Sequence, residues 1–263
     1  MELIIYLLIG AIAGFAAGLF GVGGGLIIVP ILYIVFTQLN YDPSALMHMA
    51  VGTSLATIIV TSISSVTAHH KKGAVMWDVV KVMAGGVIIG TFAATFLAAY
   101  LKSAQLALFF AIFMAYVSIQ MAIDKKPKPS RELSSSPSLF SVGSLIGIVS
   151  ALVSIGGGSL TVPYLIWQNV DLKKAIATSA AIGFPLSIAG TVGYIVNGMM
   201  HSSNTEMMLG FVYLPGVVLI SIMSYFTAPF GAKMAHRLPV GKLKKIFALL
   251  LMALSLKMLS SVL

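Results

Sequence analysis

The chain has 263 residues, 59% of them hydrophobic and only 9% charged, with a formal net charge of +9 and no cysteine. A soluble domain carries about 25% charged residues, so this chain lacks the polar surface to face water and reads as an all-α integral membrane protein. The missing cysteines exclude disulfides, thiol nucleophiles and Cys-ligated metals. The basic residues sit in short loops between apolar runs, which fits positive-inside topology and not nucleic-acid binding.

Five apolar segments are predicted in each half. The first half has 3–20, 26–38, 45–68, 76–100 and 104–123; the second has 139–155, 159–169, 175–197, 207–235 and 242–262. They lack the alternating polarity of a membrane β-barrel. Met1-Glu2-Leu3 carries no basic stretch, so the first segment is expected to be a retained span and not a cleaved leader. The Lys-, Pro- and Ser-rich stretch 124–138 reads as a solvated linker. The expected organisation is a first transmembrane repeat at 1–123, the linker, and a second repeat at 139–263.

The halves share a phrase. GFAAGLFGVGGGLIIVPIL at 14–32 matches GIVSALVSIGGGSLTVPYL at 147–165, with an offset of 133 (147 − 14). Gly23, Gly24 and Gly25 thereby pair with Gly156, Gly157 and Gly158, and Pro30 with Pro163. Further on, Thr53-Ser54 pairs with Thr178-Ser179 at an offset of 125 (178 − 53). The later segments align Gly86 with Gly216, and QLALFFAIFMA (105–115) with KLKKIFALLLM (242–252). The segments after the glycine triplets are short for a span of about 20 residues, so they are expected to be glycine-broken or re-entrant half-helices with Pro30 and Pro163 as hinges. Duplicated glycine and proline interruptions point to a transporter's binding site. The competing reading is close helix packing, since Gly14-x-x-x-Gly18 and Gly21-x-x-x-Gly25 fit the small-residue pattern. A bulky residue at Gly24 or Gly157 is expected to harm transport more than one at Gly10.

Topology follows from Lys and Arg. Lys71-Lys72, the linker, Lys173-Lys174 and the run from Lys233 to Lys245 belong on the cytoplasmic side. One orientation satisfies all four, with both termini extracytoplasmic and the two halves inverted relative to each other. Inverted halves generate alternating access by exchanging conformations.

The third segment of each half carries hydroxyls at helical spacing: Thr53, Thr57 and Thr61, then Ser179, Ser187 and Thr191. Such a stripe is expected to face the protein interior or a cavity, with hydrogen bonding between helices as the competing reading for the unrepeated ones. The matched residues Thr53, Ser54, Thr178 and Ser179 are candidate substrate ligands. A helix starting after a glycine triplet offers free N–H groups and a partial positive charge, an anion site without a charged side chain. Ser159 follows its triplet and is placed to cap the half-helix or to donate to the ligand. The acidic residues lie at segment ends or in loops, which argues against a cation site, and the five histidines are expected near segment ends. Neither HExxH, GxSxG nor a P-loop occurs, so no metal, catalytic residue, cofactor or bound nucleotide is expected.

The phrases GLFGVGGGLIIVP (18–30), HMAVGTSLATI (48–58) and AHHKKGAV (68–75), with SIGGGSLTVPYL (154–165), AIATSAAIGFP (175–185) and FGAKMAHRLPVGKLKKIFALLL (230–251), resemble the sulfite exporter TauE/SafE family of membrane permeases. The resemblance covers essentially the whole chain. It implies transport of a small anion such as sulfite, a sulfonate or a related organosulfur or organic anion across the cytoplasmic (inner) membrane. It carries over to Gly23–Gly25, Pro30, Thr53-Ser54, Gly156–Gly158, Pro163 and Thr178-Ser179. Without cysteine, the chain offers no thiol relay for thiosulfate. The expected partners are the anion, the lipid bilayer, a coupling ion (proton or sodium) and an oligomer of open size. The alternatives are an anion channel and an intramembrane enzyme using Ser54 or Ser179 with a histidine.

Overall fold

The computed structural model describes residues 2–20, 24–123, 132–201, 207–235 and 240–262. Gly23, His236 and most of the 124–138 linker lie outside the described residues. Ten helices are described: α1 (Glu2–Phe20), α2 (Gly25–Gln38), α3 (Leu46–His70), α4 (Trp77–Tyr100), α5 (Ser103–Ile123), α6 (Ser136–Val153), α7 (Gly158–Trp167), α8 (Leu172–His201), α9 (Leu214–Ala235) and α10 (Val240–Val262). Helices dominate because lipid offers no partner to a free backbone N–H or C=O. Six of them are long and apolar enough to cross a membrane: α3, α4, α5, α6, α8 and α9 as far as Gly231. Exposed apolar side chains such as Ile89, Ile112 and Leu249 need a bilayer around them.

α2 and α7 start inside their glycine triplets and stay short, at 14 and 10 residues. At 1.5 Å per residue they reach about 21 and 15 Å, against a hydrocarbon core of about 30 Å. Both continue as helix through their prolines, Pro30 and Pro163. Each proline lacks an N–H, which releases the carbonyl four residues back, on Leu26 and Ser159.

Two predicted boundaries shift. The segment expected to begin at 207 opens instead with a small hairpin of β1 (Met208–Leu209) and β2 (Val212–Tyr213), and α9 begins only at Leu214. Gly210 takes φ +57 in the turn, a conformation that favours glycine, and Pro215 sits in the first turn of α9. The expected linker also ends early, because α6 starts at Ser136 with Pro137 at its opening.

The helices pair across the halves. α1 packs on α9 and α6 on α4, while α3 packs on α8 and α5 on α10. The first two pairs rest on glycine. A Cβ on Gly10 would lie 2.6 Å from the Ile220 carbonyl oxygen, and one on Gly143 would lie 2.6 Å from that of Met83. A Cβ on Gly147 would likewise lie 2.5 Å from the Val87 carbonyl oxygen, and one on Gly14 would strike Ser224. Gly10 is therefore no neutral position for comparison with Gly24 or Gly157. These contacts equate Met83 with Ile220 and Val87 with Ser224, an offset of 137 (220 − 83). That register matches Gly86 with Met223, two helical turns away from the Gly216 expected from sequence.

The other two pairs run antiparallel. Along α3, Gly52, Leu55 and Ser62 meet Tyr194, Gly190 and Gly183 of α8 in descending order. In α5 and α10, Ser118 Oγ donates to the Ala248 carbonyl at 2.7 Å and Ser255 Oγ to that of Ala111 at 2.8 Å. The two bonds interchange under the same offset of 137 (255 − 118, 248 − 111). α3 and α8 lie at the centre, with most of their length buried.

Candidate functional site

The two glycine breaks adjoin each other. α6 ends at Ser154, which takes the left-handed conformation at φ 48, and Gly157 turns the chain again at φ +79 before α7 begins. Gly25, the first residue of α2, presses so closely on the Ser154 carbonyl that any side chain would displace it. The starts of α2 and α7 thus face one region. On its far side a Cβ on Gly183 of α8 would lie 2.5 Å from the Gly156 carbonyl oxygen and 3.6 Å from Ser62 Oγ of α3. A Cβ on Gly157 would lie 3.9 Å from the Ser179 carbonyl.

Hydroxyls concentrate at the second break. Ser154 and Thr161 are fully buried, and neither hydroxyl has a hydrogen-bond partner among the described residues. The buried hydroxyl oxygen of Ser159 is in the same state, as are those of Ser150 on α6 and Tyr164 on α7. Ser159 does not cap α7: its N-cap is Gly157, with no side-chain capping bond. Helix geometry leaves the N–H groups of Gly158 and Ser159 without an acceptor inside α7. Buried polar atoms are nearly always satisfied, so such a cluster marks a place that receives a polar partner.

The duplicated threonines have a second task. Thr53 Oγ1 accepts the Tyr213 N–H at 2.9 Å, and Thr178 Oγ1 accepts the Met76 N–H at 3.1 Å. Tyr213 immediately precedes α9 and Met76 immediately precedes α4. Each threonine therefore holds the entry of the other half's fourth helix. Accepting an N–H occupies a lone pair and leaves the hydroxyl proton free to donate, polarised by the bond it has accepted. Ser54 Oγ is buried without a partner among the described residues. The rest of the stripe turns back on its own helix: Thr57 bonds the Ser54 carbonyl at 2.7 Å, and Thr191 that of Ser187 at 2.7 Å. Those residues join no neighbouring helix through these bonds.

His48, expected near an interface, is buried at 3% exposure. Its Nε2 lies 2.9 Å from the Ala98 carbonyl and its ring stacks on Phe211 at 5.0 Å. A carbonyl only accepts, so Nε2 carries the proton. His70 accepts the Trp77 indole N–H at 3.2 Å. Neither ring nitrogen is thereby paired with Ser54 or Ser179, and no group of three metal-ligating side chains occurs among the described residues.

The sequence singled out both triplets, Ser159 and the threonine pairs; the structure brings Gly25, Gly156, Gly157 and the Ser179 backbone together at the breaks, while Thr53 and Thr178 hold the entries of α9 and α4 instead. Sequence reasoning missed Ser154 and Thr161, whose only signal was that they occur in one half alone.

Comparison with known proteins agrees with this architecture. The family model for the sulfite exporter TauE/SafE matches residues 6–258. A "Probable membrane transporter protein" of Haemophilus influenzae is 39% identical over 258 residues, covering 97% of each chain. Another from Methanocaldococcus jannaschii is 28% identical, covering 96% of this chain and 94% of its own. A third, from Bacillus subtilis, is 29% identical over 76% of this chain and 81% of its own. No solved structure matches. The chain belongs to the sulfite exporter TauE/SafE family: it is a multi-pass membrane transporter, not an enzyme.

Proposed function

We propose that the protein is a secondary carrier for a small oxyanion, namely sulfite, a sulfonate or a related organosulfur or organic anion. It works by alternating access of two inverted five-helix repeats in the cytoplasmic membrane, with both termini extracytoplasmic and the 124–138 linker cytoplasmic. The observation that carries this reading is the reciprocity of the contacts between halves. Ser118 bonds Ala248 as Ser255 bonds Ala111, and Thr53 holds Tyr213 as Thr178 holds Met76. Antiparallel packing of the equivalent helices α3 and α8 supports an axis lying in the membrane plane.

The substrate site comprises the two triplets, Gly23–Gly25 and Gly156–Gly158, with Ser159 and the hydroxyls of Thr53, Ser54, Thr178 and Ser179. Helix N-termini and neutral donors hold an anion without a fixed cation that would trap it. Pro30 and Pro163 mark where the half-helices flex as the halves exchange shapes. A proton or sodium ion supplies the coupling.

The test is counterflow in proteoliposomes. Vesicles loaded with unlabelled sulfite should transiently accumulate radiolabelled sulfite from outside, and methanesulfonate should compete. A channel would equilibrate the label without overshoot. Absence of any anion flux would sink the transport reading altogether.

A further inference from the structure

The backbone break is duplicated, but its polar lining is not. At the repeat offset of 133 (154 − 21, 159 − 26, 161 − 28), Ser154, Ser159 and Thr161 correspond to Gly21, Leu26 and Ile28. The outer pair follows the same rule: Ser150 corresponds to Ala17 and Tyr164 to Ile31. All five hydroxyls that lack a partner around the second break are therefore replaced by hydrogen or hydrocarbon in the first. Leu26 and Ile28 are core residues at 1% and 2% exposure.

We infer that at the breaks themselves the anion is held by hydroxyls of the second half, those of Ser154, Ser159 and Thr161 around the start of α7, with the first break serving as an apolar wall. This rests on the carrier reading above and refines its site. Three observations agree. The N–H groups of Gly158 and Ser159 have no acceptor within the helix. A Cβ on Gly157, the N-cap, would lie 3.5 Å from Thr161 Oγ1, so that hydroxyl looks along the helix start. A Cβ on Gly25 would lie 3.3 Å from Ser154 Oγ, which places this hydroxyl where the two breaks meet.

The chemistry selects the ligand class. A hydroxyl can donate one proton, and three hydroxyls with two N–H groups offer a set of donors and no cation. That suits an anion that spreads one or two charges over several oxygens, such as sulfite or a sulfonate head. A halide fits it poorly, having a single centre for donors that converge from different directions. Leu26 and Ile28 offer the ligand hydrocarbon and no donor, which favours an organic sulfonate over a fully hydrated inorganic anion.

Thermal-shift titration of the purified full-length protein in detergent tests this, with sulfite, methanesulfonate and chloride as probes. A ligand that binds only the folded state raises the melting temperature with its concentration. Thr161→Val keeps the shape and removes the hydroxyl; Ser159→Ala does the same. Each should weaken sulfite or methanesulfonate about tenfold or more, while the ligand-free melting temperature stays level or rises, since an unsatisfied buried hydroxyl has been removed. Thr37→Val, whose hydroxyl is satisfied by the Tyr33 carbonyl at 2.7 Å, serves as the control. If the parent binds sulfite or methanesulfonate and both hydroxyl variants bind equally well, the one-sided site is wrong and the carrier reading stands. If none of the probes stabilises the parent, the one-sided site and the oxyanion assignment fall together.

Discussion

Thr53 and Thr178 each do at residue scale what a helix cap does, but from another helix. The N–H groups they accept belong to the residues that lead into α9 and α4. An N–H stranded in a buried site costs about 1–3 kcal/mol. Thr53→Val should therefore lower the melting temperature clearly, whereas Thr53→Ser, which keeps the oxygen, should stay close to the parent. The same contrast should hold at Thr178, and equal behaviour of the Val and Ser variants would refute the role. The threonines were legible in the sequence because they repeat. Their partners were not, since an acceptor's mate can be any backbone N–H, and Tyr213 lies 160 residues from Thr53. Ser154 and Thr161 went unseen for the opposite reason: a search for what the halves share passes over what only one half has.

At element scale, glycine decides which helices meet. In α4 a Cβ on Gly86 or Gly90 would strike the carbonyl of Phe140 or Ser144 in α6, while one on Gly85 would meet only the Phe140 ring edge at 3.3 Å. A backbone atom cannot step aside and a ring can. Gly90→Ala should therefore cost about 1–3 kcal/mol through overpacking, and Gly85→Ala much less, by melting temperature in detergent. Similar losses at both positions would show that α4 and α6 are not in close contact. The segments themselves were readable from hydropathy. The 208–213 hairpin was not, because it lies in one continuous apolar run in which only Gly210 and Pro215 mark the interruption. The packing register of 137 is the one at which 105–115 aligns with 242–252, whereas the match of one glycine to another departs from it. Gly86 needs its glycine for α6, while Gly216 faces the Tyr213 ring and Thr53.

At the scale of the whole molecule, the decisive matter is orientation. α3 and α8 are equivalent helices that pack antiparallel, so the loops entering them should open on opposite faces of the membrane. The loop before α3, containing exposed Ser44, carries no Lys or Arg, while the one before α8, containing exposed Asn169, is followed by Lys173-Lys174. In the proposed topology Asn169 therefore lies on the cytoplasmic side and Ser44 outside. The chain has no cysteine, so single replacements Ser44→Cys and Asn169→Cys can be labelled without background. An impermeant maleimide applied to right-side-out vesicles should modify Ser44→Cys and spare Asn169→Cys, and inside-out vesicles should reverse the result. The proposed mechanism requires this: with equivalent loops on opposite faces, each half would adopt the other's shape and thereby turn an outward-open cavity inward. Labelling of both positions from the same side would mean that the halves are parallel. The reciprocal bonds of Ser118 and Ser255 would then be a feature of packing alone, and alternating access by exchange of halves would have no basis.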